Sequence, residues 1–204
     1  AATELPLSAD LENGYANTPE GVAETYAVAA TTGIVGASIE DSTGDPGHPL
    51  FDVDIAAARV RAAVEAVRAL PFPFTLTARA ENFLVGRKDL ADVIRRLQAY
   101  QDAGADVLYA PGLVARDDIA AVVKSVDRPV NVVMGLAGAR FSLGELAALG
   151  VKRVSVGSAL ARAAYGALID AANEMREHGT FAFADRAVAY AALGAMFYAA
   201  GGRK

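Results

Sequence analysis

Residues 74–109 read FTLTARAENFLVGRKDLADVIRRLQAYQDAGADVLY, and this segment has the strand–helix–strand pattern that indicates the fold class. The apolar segments at 74–79 and 107–109 are typical of parallel strands that are covered on both faces. Between them, apolar side chains recur at helical spacing over residues 88–103, and Gly104 stands where this helix is expected to stop. The predicted buried face of the helix carries Val93, Ile94, Leu97 and Tyr100.

The same alternation of strand and helix runs along the whole chain, with no linker or change of composition between units. Six units in 204 residues average about 34 residues each, close to the roughly 31 of a (β/α)8 barrel of about 250 residues. A doubly wound sheet of six strands fits the same count. The six strands are predicted over residues 5–10, 34–40, 74–79, 107–109, 129–134 and 153–156.

Helix ends are marked by specific residues in the sequence. Thr18-Pro19-Glu20 is typical of a helix start, with an N-cap residue, a proline at the first helical position and an acid in the first turn. Gly33 and Gly150 stand where two further helices are expected to stop. A helix over residues 54–70 is predicted to bury Ile55, Ala58, Ala62, Val64 and Leu70, and to turn Arg59, Arg61 and Arg68 mostly elsewhere.

Composition excludes several classes of protein. Apolar residues make up 53% and charged residues 21%, which is typical of a globular domain with a sizeable core. The net charge of −5 offers a nucleic acid no basic field, and the longest nearly apolar stretch, 187–200, is shorter than the roughly 20 residues that span a bilayer. The chain has no cysteine, which excludes disulfides, thiolate metal sites and a cysteine nucleophile, and fits a reducing cytoplasm.

Acidic side chains follow the first two predicted strands. Alternation along a strand points Asp10 and Glu12 the same way, and Glu40 leaves the neighbouring strand. Carboxylates this close repel one another unless a cation lies between them, and Mg²⁺ binds few carboxylates and keeps several waters. We therefore predict a Mg²⁺ site, with Mn²⁺ as the alternative ion, formed by Asp10, Glu12 and Glu40. The other interpretation is that these acids cap helices or face solvent.

Arg79 ends the third predicted strand, where a guanidinium is well placed to bind a carboxylate or phosphate with two hydrogen bonds. The alternative is a salt bridge to Glu81 or Glu40, and the two interpretations are compatible. Asn131, on the predicted strand 129–134, is the second predicted substrate-binding residue.

The 41–50 loop directly follows Glu40 and is rich in glycine and proline, which is typical of a lid over a site. His48, one of only two histidines, is a candidate acid or base, and a simply solvated side chain is the alternative. The predicted catalytic residues are thus Arg79, His48 and Glu40. Residues 157–158 lead into a helix and form a weakly specific candidate anion site.

Four segments occur in a characteristic order: Ala9-Asp10-Leu11-Glu12-Asn13-Gly14-Tyr15, Gly36-Ala37-Ser38-Ile39-Glu40-Asp41, Thr77-Ala78-Arg79 and Gly104-Ala105-Asp106. Together they resemble the isocitrate lyase/phosphoenolpyruvate mutase superfamily, in its branch of phosphonomutase-like and 2-methylisocitrate lyase-like proteins. The resemblance implies an α/β fold, a (β/α)8 TIM barrel, and Mg²⁺-dependent chemistry on 2-oxo acids through an enolate-like pyruvate intermediate. It also implies that Asp10, Glu12 and Glu40 are metal-site acids, that Arg79 binds the substrate, and that the 41–50 loop gates the site.

The 41–50 loop departs from the pattern of this superfamily. Lyases carry a Lys-Lys/Arg-Cys-Gly-His signature there, whereas this loop has only Gly47-His48, with no cysteine or lysine. Mutases and related hydrolases place an asparagine in the loop, and this loop has none. Pro111 stands where relatives offer a glutamate or histidine after the sixth strand. The missing cysteine favours mutase or hydrolase chemistry over a 2-methylisocitrate-type lyase.

Members of this superfamily have two βα units ahead of the strand that carries Asp10. We therefore expect residues 1–180 to hold units three to eight of the barrel, and residues 181–204 to form a helical extension at an oligomer interface. The start, Ala1-Ala2-Thr3-Glu4, is expected to be the end of a preceding helix. An open barrel exposes two strand edges, so the chain is not expected to be stable and active alone.

Three functions fit the sequence. The first is a cytoplasmic Mg²⁺-dependent enzyme, a homo-oligomer (dimer or tetramer), that breaks or isomerises a C–C or P–C bond in a small 2-oxo or 2-hydroxy acid. Such an enzyme has no nucleic-acid or membrane partner. The second is a non-catalytic barrel protein that binds a small acid. The third is a phosphate-handling TIM-barrel synthase, suggested only by Val156-Gly157-Ser158.

Overall fold

The structure is a computed structural model that describes the backbone of residues 3–201 and the side chains of residues 3–198. Contacts divide the chain into two compact units, Ala1–Gly157 and Ser158–Lys204, and each unit is described by itself. The predicted division after residue 180 stays a prediction. No helix in the described part of the chain combines the length and apolar character needed to cross a bilayer.

Six parallel strands form one sheet in which spatial order follows sequence order. Each connection therefore advances the chain by one strand, as in a barrel, whereas a doubly wound sheet reverses its strand order. The doubly wound alternative is wrong, and the six βα units are confirmed as an open half-barrel within the described residues. The strands are β1 Ser8–Asp10, β2 Gly36–Glu40, β3 Thr75–Arg79, β4 Val107–Tyr109, β5 Val130–Val133 and β6 Arg153–Ser155.

Helices alternate with these strands as predicted. Thr18 caps the first helix, because its hydroxyl accepts a hydrogen bond from the Gly21 N–H at 3.3 Å. Gly104 has a φ of +100°, and a Cβ there would approach the Val64 side chain to 3.0 Å, so glycine suits this helix end. The helices are α1 Pro19–Ala30, α2 Val53–Arg68, α3 Leu90–Asp102, α4 Arg116–Lys124, α5 Leu143–Ala148, α6 Ala159–His178 and α7 Tyr190–Gly201, with a 3-10 turn at Ala182–Arg186.

The core of the first unit is one hydrophobic cluster to which the strands and helices α1 to α5 contribute. The predicted face of α3 is confirmed, with Val93, Leu97 and Tyr100 fully buried and Ile94 packed against the cluster. Tyr26 of α1 ties this helix to β2 by donating its hydroxyl to the Ser38 carbonyl at 2.6 Å. This packing fixes the strands, and therefore their carboxyl ends.

Helix α2 corrects the predicted orientation of its side chains. Ile55 is 47% exposed, whereas Arg59, which was predicted to point mostly elsewhere, is completely buried. The Arg59 Nη2 donates to the Asn13 and Ala16 carbonyls and the guanidinium stacks over the Phe51 ring, which compensates part of the cost of burial. The buried Nε and Nη1 have no hydrogen-bond partner among the described residues. The buried residues of α2 are Ala56, Arg59, Val60, Ala63, Val64 and Val67.

The expected helix end at residues 1–4 is not confirmed. Thr3 and Glu4 are not helical, and Ala1 and Ala2 lie outside the described residues. Strand β1 begins at Ser8, three residues later than predicted.

Candidate active site at the carboxyl ends of the strands

Arg79, the last residue of β3, holds three carboxylates at the carboxyl end of the sheet. Its Nη1 donates to Asp10 Oδ2 at 2.7 Å, its Nη2 lies 3.1 Å from Glu40 Oε2, and its Nε donates to Glu81 Oε1 at 2.9 Å. The pairing of Glu40 with Arg79 across β2 and β3 follows from the parallel register. The Arg79 guanidinium also lies 5.4 Å from the centre of the Tyr109 ring. The salt-bridge interpretation of Arg79 is therefore confirmed, with both Glu40 and Glu81 as partners, and its role in substrate binding stays a prediction.

The Arg79 site carries more negative than positive charge. One guanidinium faces three carboxylates, which leaves two formal negative charges unbalanced. Burial raises the pKa of Glu81 to about 7 against the attraction of Arg79, and burial likewise raises the pKa of Glu40. Burial acts in the same direction on Asp10, but Arg79 and the hydrogen bonds to its carboxylate outweigh it and lower the Asp10 pKa.

Glu12 lies differently from the prediction. Strand β1 ends at Asp10, and Glu12 adopts a φ of +50°, so strand alternation does not extend to its side chain. Its N–H donates to Asp10 Oδ1 at 3.1 Å, and its carbonyl accepts a hydrogen bond from the Glu40 N–H at 2.9 Å. The Glu12 backbone therefore positions the two neighbouring acids, and its role as a metal ligand stays a prediction.

The donor set at the Arg79 site has the chemistry that Mg²⁺ requires. Among the described side chains, no three acidic or histidine groups converge in an arrangement for a metal ion. Mg²⁺ is, however, often held by only one or two carboxylates together with waters and substrate oxygens. Asp10 and Glu40 are two carboxylates on adjacent strand ends, and the net negative charge that remains beside Arg79 favours a cation. The residues present fit the ion.

Asn131 lies on β5 in register with Tyr109 of β4, and its side chain is held by hydrogen bonds to β6. Its side chain is almost fully buried, its Nδ2 donates to Ser155 Oγ at 3.0 Å, and its Oδ1 accepts from Arg153 Nη1 at 3.2 Å. Both partners belong to the adjacent strand β6. The proposed role of Asn131 in substrate binding stays a prediction.

The 41–50 loop is closed at its base and exposed at its tip. Ser42 pairs with Leu50, and the His48 side chain is 90% exposed, with its Nδ1 3.6 Å from Asp45. The structure favours the solvated alternative for His48, whose role as acid or base stays a prediction. A cleft of about 330 Å³ beside the loop is lined by Ser42, Gly44, Asp45, Pro46, Pro49 and Val85. None of the predicted site residues lines this cleft.

Two buried acids beside the site, Glu81 and Asp41, were not among the site residues predicted from the sequence. Glu81 was considered only as a salt-bridge partner, yet it is 4% exposed and holds Arg79 Nε. Asp41 is 2% exposed, and its Oδ1 accepts the Glu81 N–H at 2.8 Å. Their positions were readable signals, since Glu81 follows Arg79 by two residues and Asp41 directly follows Glu40.

Comparison with known proteins identifies the family. The phosphoenolpyruvate phosphomutase family matches residues 1–176. A solved structure from Burkholderia cenocepacia J2315, described as a lyase/mutase candidate, is 61% identical with a TM-score of 0.92, and the match covers 95% of this chain and 69% of that chain. An uncharacterized protein of Mycobacterium tuberculosis strain H37Rv is 34% identical over 161 residues, covering 78% of this chain and 57% of the relative. An oxaloacetate decarboxylase of Chromohalobacter salexigens is 31% identical over 180 residues, covering 86% of this chain and 61% of that enzyme.

Further solved structures of the same fold are described as a phosphonomutase, an oxaloacetate acetylhydrolase and a 2,3-dimethylmalate lyase. The chain spans less than two thirds of the length of the curated relatives given above. These relatives are enzymes of the lyase/phosphonomutase superfamily or proteins not yet characterized. The match over residues 1–176, together with six sequential βα units and an acidic strand-end site, shows that this chain belongs to the phosphoenolpyruvate phosphomutase family, within the isocitrate lyase/phosphoenolpyruvate mutase superfamily.

Proposed function

We propose that this chain supplies metal- and substrate-binding residues of an enzyme that acts on a small 2-oxo or 2-hydroxy carboxylic acid. The enzyme requires Mg²⁺ and breaks or isomerises a C–C or P–C bond through an enolate-like pyruvate intermediate. The observation that carries this proposal is the position of Arg79 between Asp10 and Glu40 on three adjacent strand ends. The names of the relatives, among them an oxaloacetate decarboxylase and an oxaloacetate acetylhydrolase, support the substrate class.

Asp10 and Glu40 are the residues that would hold the metal. When bound, Mg²⁺ supplies positive charge that polarises a 2-oxo group and favours its enolate form. Arg79 binds the substrate carboxylate or phosphonate, because its planar fork of donors matches either anion. Glu81 fixes the Nε side of Arg79, and Nη1 and Nη2 contact Asp10 and Glu40, so the second N–H of each Nη group is the donor that we assign to the substrate.

Glu40 and Glu81 are the two acids of this site whose pKa is raised in the metal-free chain, and they differ in exposure. Burial raises the pKa of Glu40, so that its neutral form is more accessible than in an ordinary glutamate. The Glu40 side chain contacts Arg79 and is 17% exposed, whereas the side chain of Glu81 is only 5% exposed. We therefore assign metal binding and the proposed catalytic role to Glu40, and the anchoring of Arg79 to Glu81.

The test is Mg²⁺-dependent turnover of oxaloacetate, phosphonopyruvate and 2-methylisocitrate by the full-length protein. We expect turnover of at least one acid, which chelation of Mg²⁺ abolishes and Arg79→Met removes. Arg61→Met, which removes an exposed arginine of α2, is the matched control and should retain activity. Absence of turnover for every acid, together with metal binding that Glu40→Gln leaves unchanged, would contradict the proposal.

A second candidate function is binding of a small acid without turnover. The loop without cysteine or lysine, and Pro111 in place of a glutamate or histidine, favour it. Tight oxalate or pyruvate binding by calorimetry, with no turnover of the three acids, would distinguish this function from catalysis. The phosphate-handling synthase has no support beyond residues 156–158 and stays a prediction.

We also propose that the protein is a cytoplasmic homo-oligomer, a dimer or tetramer. Leu160, Tyr165 and Leu168 of α6 are each more than half exposed, and apolar surface of this extent is typical of an interface. The absence of cysteine fits a reducing compartment. Light scattering at micromolar concentration tests the assembly, and a monomer would contradict it.

A further inference from the structure

A second ionic cluster links helix α3 to the residues beside Arg79. Asp41, Arg96 and Tyr100 are 2%, 4% and 0% exposed. Arg96 Nη1 donates to Asp41 Oδ2 at 3.0 Å, and the Tyr100 hydroxyl donates to the same oxygen at 2.5 Å. Arg96 Nε donates in addition to Asp92 Oδ2 at 2.8 Å, one turn earlier on α3. Every charged group of this cluster is therefore paired within the chain.

The side chains of this cluster hold the backbone at two residues, Glu81 and Phe51, and a backbone bond from Phe51 to Asp41 adds to them. Asp41 Oδ1 accepts the Glu81 N–H at 2.8 Å, and the Asp41 carbonyl accepts the Phe51 N–H at 2.9 Å. Arg96 Nη1 donates to the Phe51 carbonyl at 2.8 Å. The two ends of the 41–50 loop and the residue that anchors Arg79 are thus attached to one buried pair, Asp41 and Arg96.

Phe51 is also held from the neighbouring helix. The Arg59 guanidinium of α2 lies 3.9 Å from the centre of the Phe51 ring. The same guanidinium donates to the carbonyls of Asn13 and Ala16, which follow Asp10 in the chain. The base of the 41–50 loop is therefore packed against the segment that follows the first acid of the site.

The charge of this cluster distinguishes it from the Arg79 site. Arg95 and Arg96 balance Asp41 and Asp92, so no negative charge remains for a metal ion or a proton. Burial raises the pKa of the Tyr100 hydroxyl, which consequently stays a neutral donor to Asp41. Such a satisfied, buried network fixes geometry without taking part in the chemistry.

We propose that Asp41, Arg96 and Tyr100 are positioning residues. They hold the Glu81 backbone, and through Glu81 the orientation of Arg79, together with both ends of the 41–50 loop. This inference rests on the proposed function for its catalytic consequence. The placement of Glu81 and of the loop base is a structural claim that does not depend on any activity.

The structural claim is tested by amide hydrogen exchange on the full-length protein, comparing wild type with Tyr100→Phe and Asp41→Asn. Tyr100→Phe removes only one hydroxyl, and Asp41→Asn keeps the shape of the side chain. We expect exchange at the Phe51 and Glu81 amides to accelerate at least tenfold in Asp41→Asn and to a smaller extent in Tyr100→Phe. Amides of α1 and those of the Arg61→Gln control, at an exposed position of α2, should exchange as in the wild type. Unchanged exchange at Phe51 and Glu81, or equal acceleration throughout the chain, would overturn the claim.

The catalytic consequence is tested by calorimetric titration of oxalate in the presence of Mg²⁺. We expect both variants to bind oxalate more weakly, by about tenfold for Asp41→Asn, while the unfolding temperature of Tyr100→Phe stays close to that of wild type. If wild type binds oxalate and both variants bind it equally well, the positioning role is wrong. If wild type binds no oxalate and turns over no acid, the proposed function fails, and hydrogen exchange still decides whether the cluster holds Glu81 and the loop.

Discussion

The Arg79 site and the Arg96 cluster, which consists of Asp41, Asp92, Arg95, Arg96 and Tyr100, are each built around an arginine that is mostly removed from solvent. They differ in charge balance. Arg79 faces three carboxylates alone, whereas the Arg96 cluster pairs two arginines with two aspartates. Carboxyl pKa values also differ between the two clusters. Burial raises the pKa of Glu81 to about 7, while hydrogen bonds from Arg96, Arg95 and Asn82 outweigh burial at Asp92 and lower its pKa to about 2.

The difference in charge balance indicates which of the two clusters is open to a ligand. A buried ion pair with all its partners in place stabilises one arrangement of the chain and has nothing left to bind. A site with unbalanced negative charge gains free energy from a dication or a proton, and raised carboxyl pKa values mark such sites. We therefore place the chemistry at Arg79 and the support at Arg96.

The largest effect is expected from Arg79→Met. Removing the substrate-binding cation should lower kcat/KM about 1,000-fold, the upper range for loss of one key electrostatic contact in an active site. Steady-state kinetics on the preferred acid measures the loss, and Arg61→Met, at an exposed position of α2, should leave kcat/KM nearly unchanged. An Arg79→Met variant that kept more than a tenth of wild-type activity would place the chemistry elsewhere.

Arg96→Met should act mainly on stability, in contrast to Arg79→Met, which acts mainly on kcat/KM. Without Arg96, the carboxylate of Asp41 stays buried without its cationic partner, which costs about 3–5 kcal/mol of unfolding free energy. Urea unfolding measures this change. A midpoint equal to that of wild type would show that the balanced cluster does not support the fold.

Glu81→Gln tests the raised pKa of the Arg79 site through the pH dependence of stability. The pKa of Glu81 is about 7 in the folded chain, above its ordinary value of 4.5, so the folded chain binds more protons between these two pH values. The free energy of unfolding therefore falls as pH rises from about 4.5 to about 7, by on the order of 3 kcal/mol.

In Glu81→Gln this fall should be smaller by about the same amount, since the amide does not titrate. Thermal or urea unfolding at several pH values measures the difference. Glu24→Gln, at an exposed position of α1, is the control and should follow the wild-type curve. A Glu81→Gln curve parallel to that of wild type would contradict a raised Glu81 pKa.

The smallest effect is expected from His48→Gln. The His48 side chain is 90% exposed at the tip of the 41–50 loop, so the substitution should change kcat/KM by no more than about twofold. The same kinetic assay measures it. A loss of tenfold or more would support the prediction from sequence that His48 is an acid or base.

The parts of the fold that depend on local pattern were predictable. All six strands were found with at most three residues of error at either end, and Thr18 caps α1 as expected. The convergence of Asp10, Glu40 and Arg79 was also predictable, because the carboxyl ends of adjacent parallel strands meet at one edge of a sheet. Periodicity and strand order were sufficient for these features.

The parts that depend on distant partners were not predictable. A charged side chain on α2 was expected outside the core, yet Arg59 is buried because carbonyls more than 40 residues away accept its hydrogen bonds. Glu12 does not follow the predicted alternation, because β1 ends at Asp10, two residues before it, and Glu12 itself has a positive φ. Asp41 gains its partners only when α3 packs beside β2 and β3. Such contacts are set by tertiary packing, which no local window of sequence contains.

A calorimetric titration of oxalate into the full-length protein, with and without Mg²⁺, tests most directly whether the Arg79 site binds metal and substrate. Wild type is compared with the double variant Asp10→Asn/Glu40→Gln, and Glu20→Gln/Glu24→Gln on α1 is the matched control. We predict oxalate binding that requires Mg²⁺, is weakened at least about tenfold in the Asp10 and Glu40 variant, and is unchanged in the control. Oxalate binding that is equal without Mg²⁺, or equal in the double variant, would contradict the assignment of the Arg79 site as the metal- and substrate-binding site.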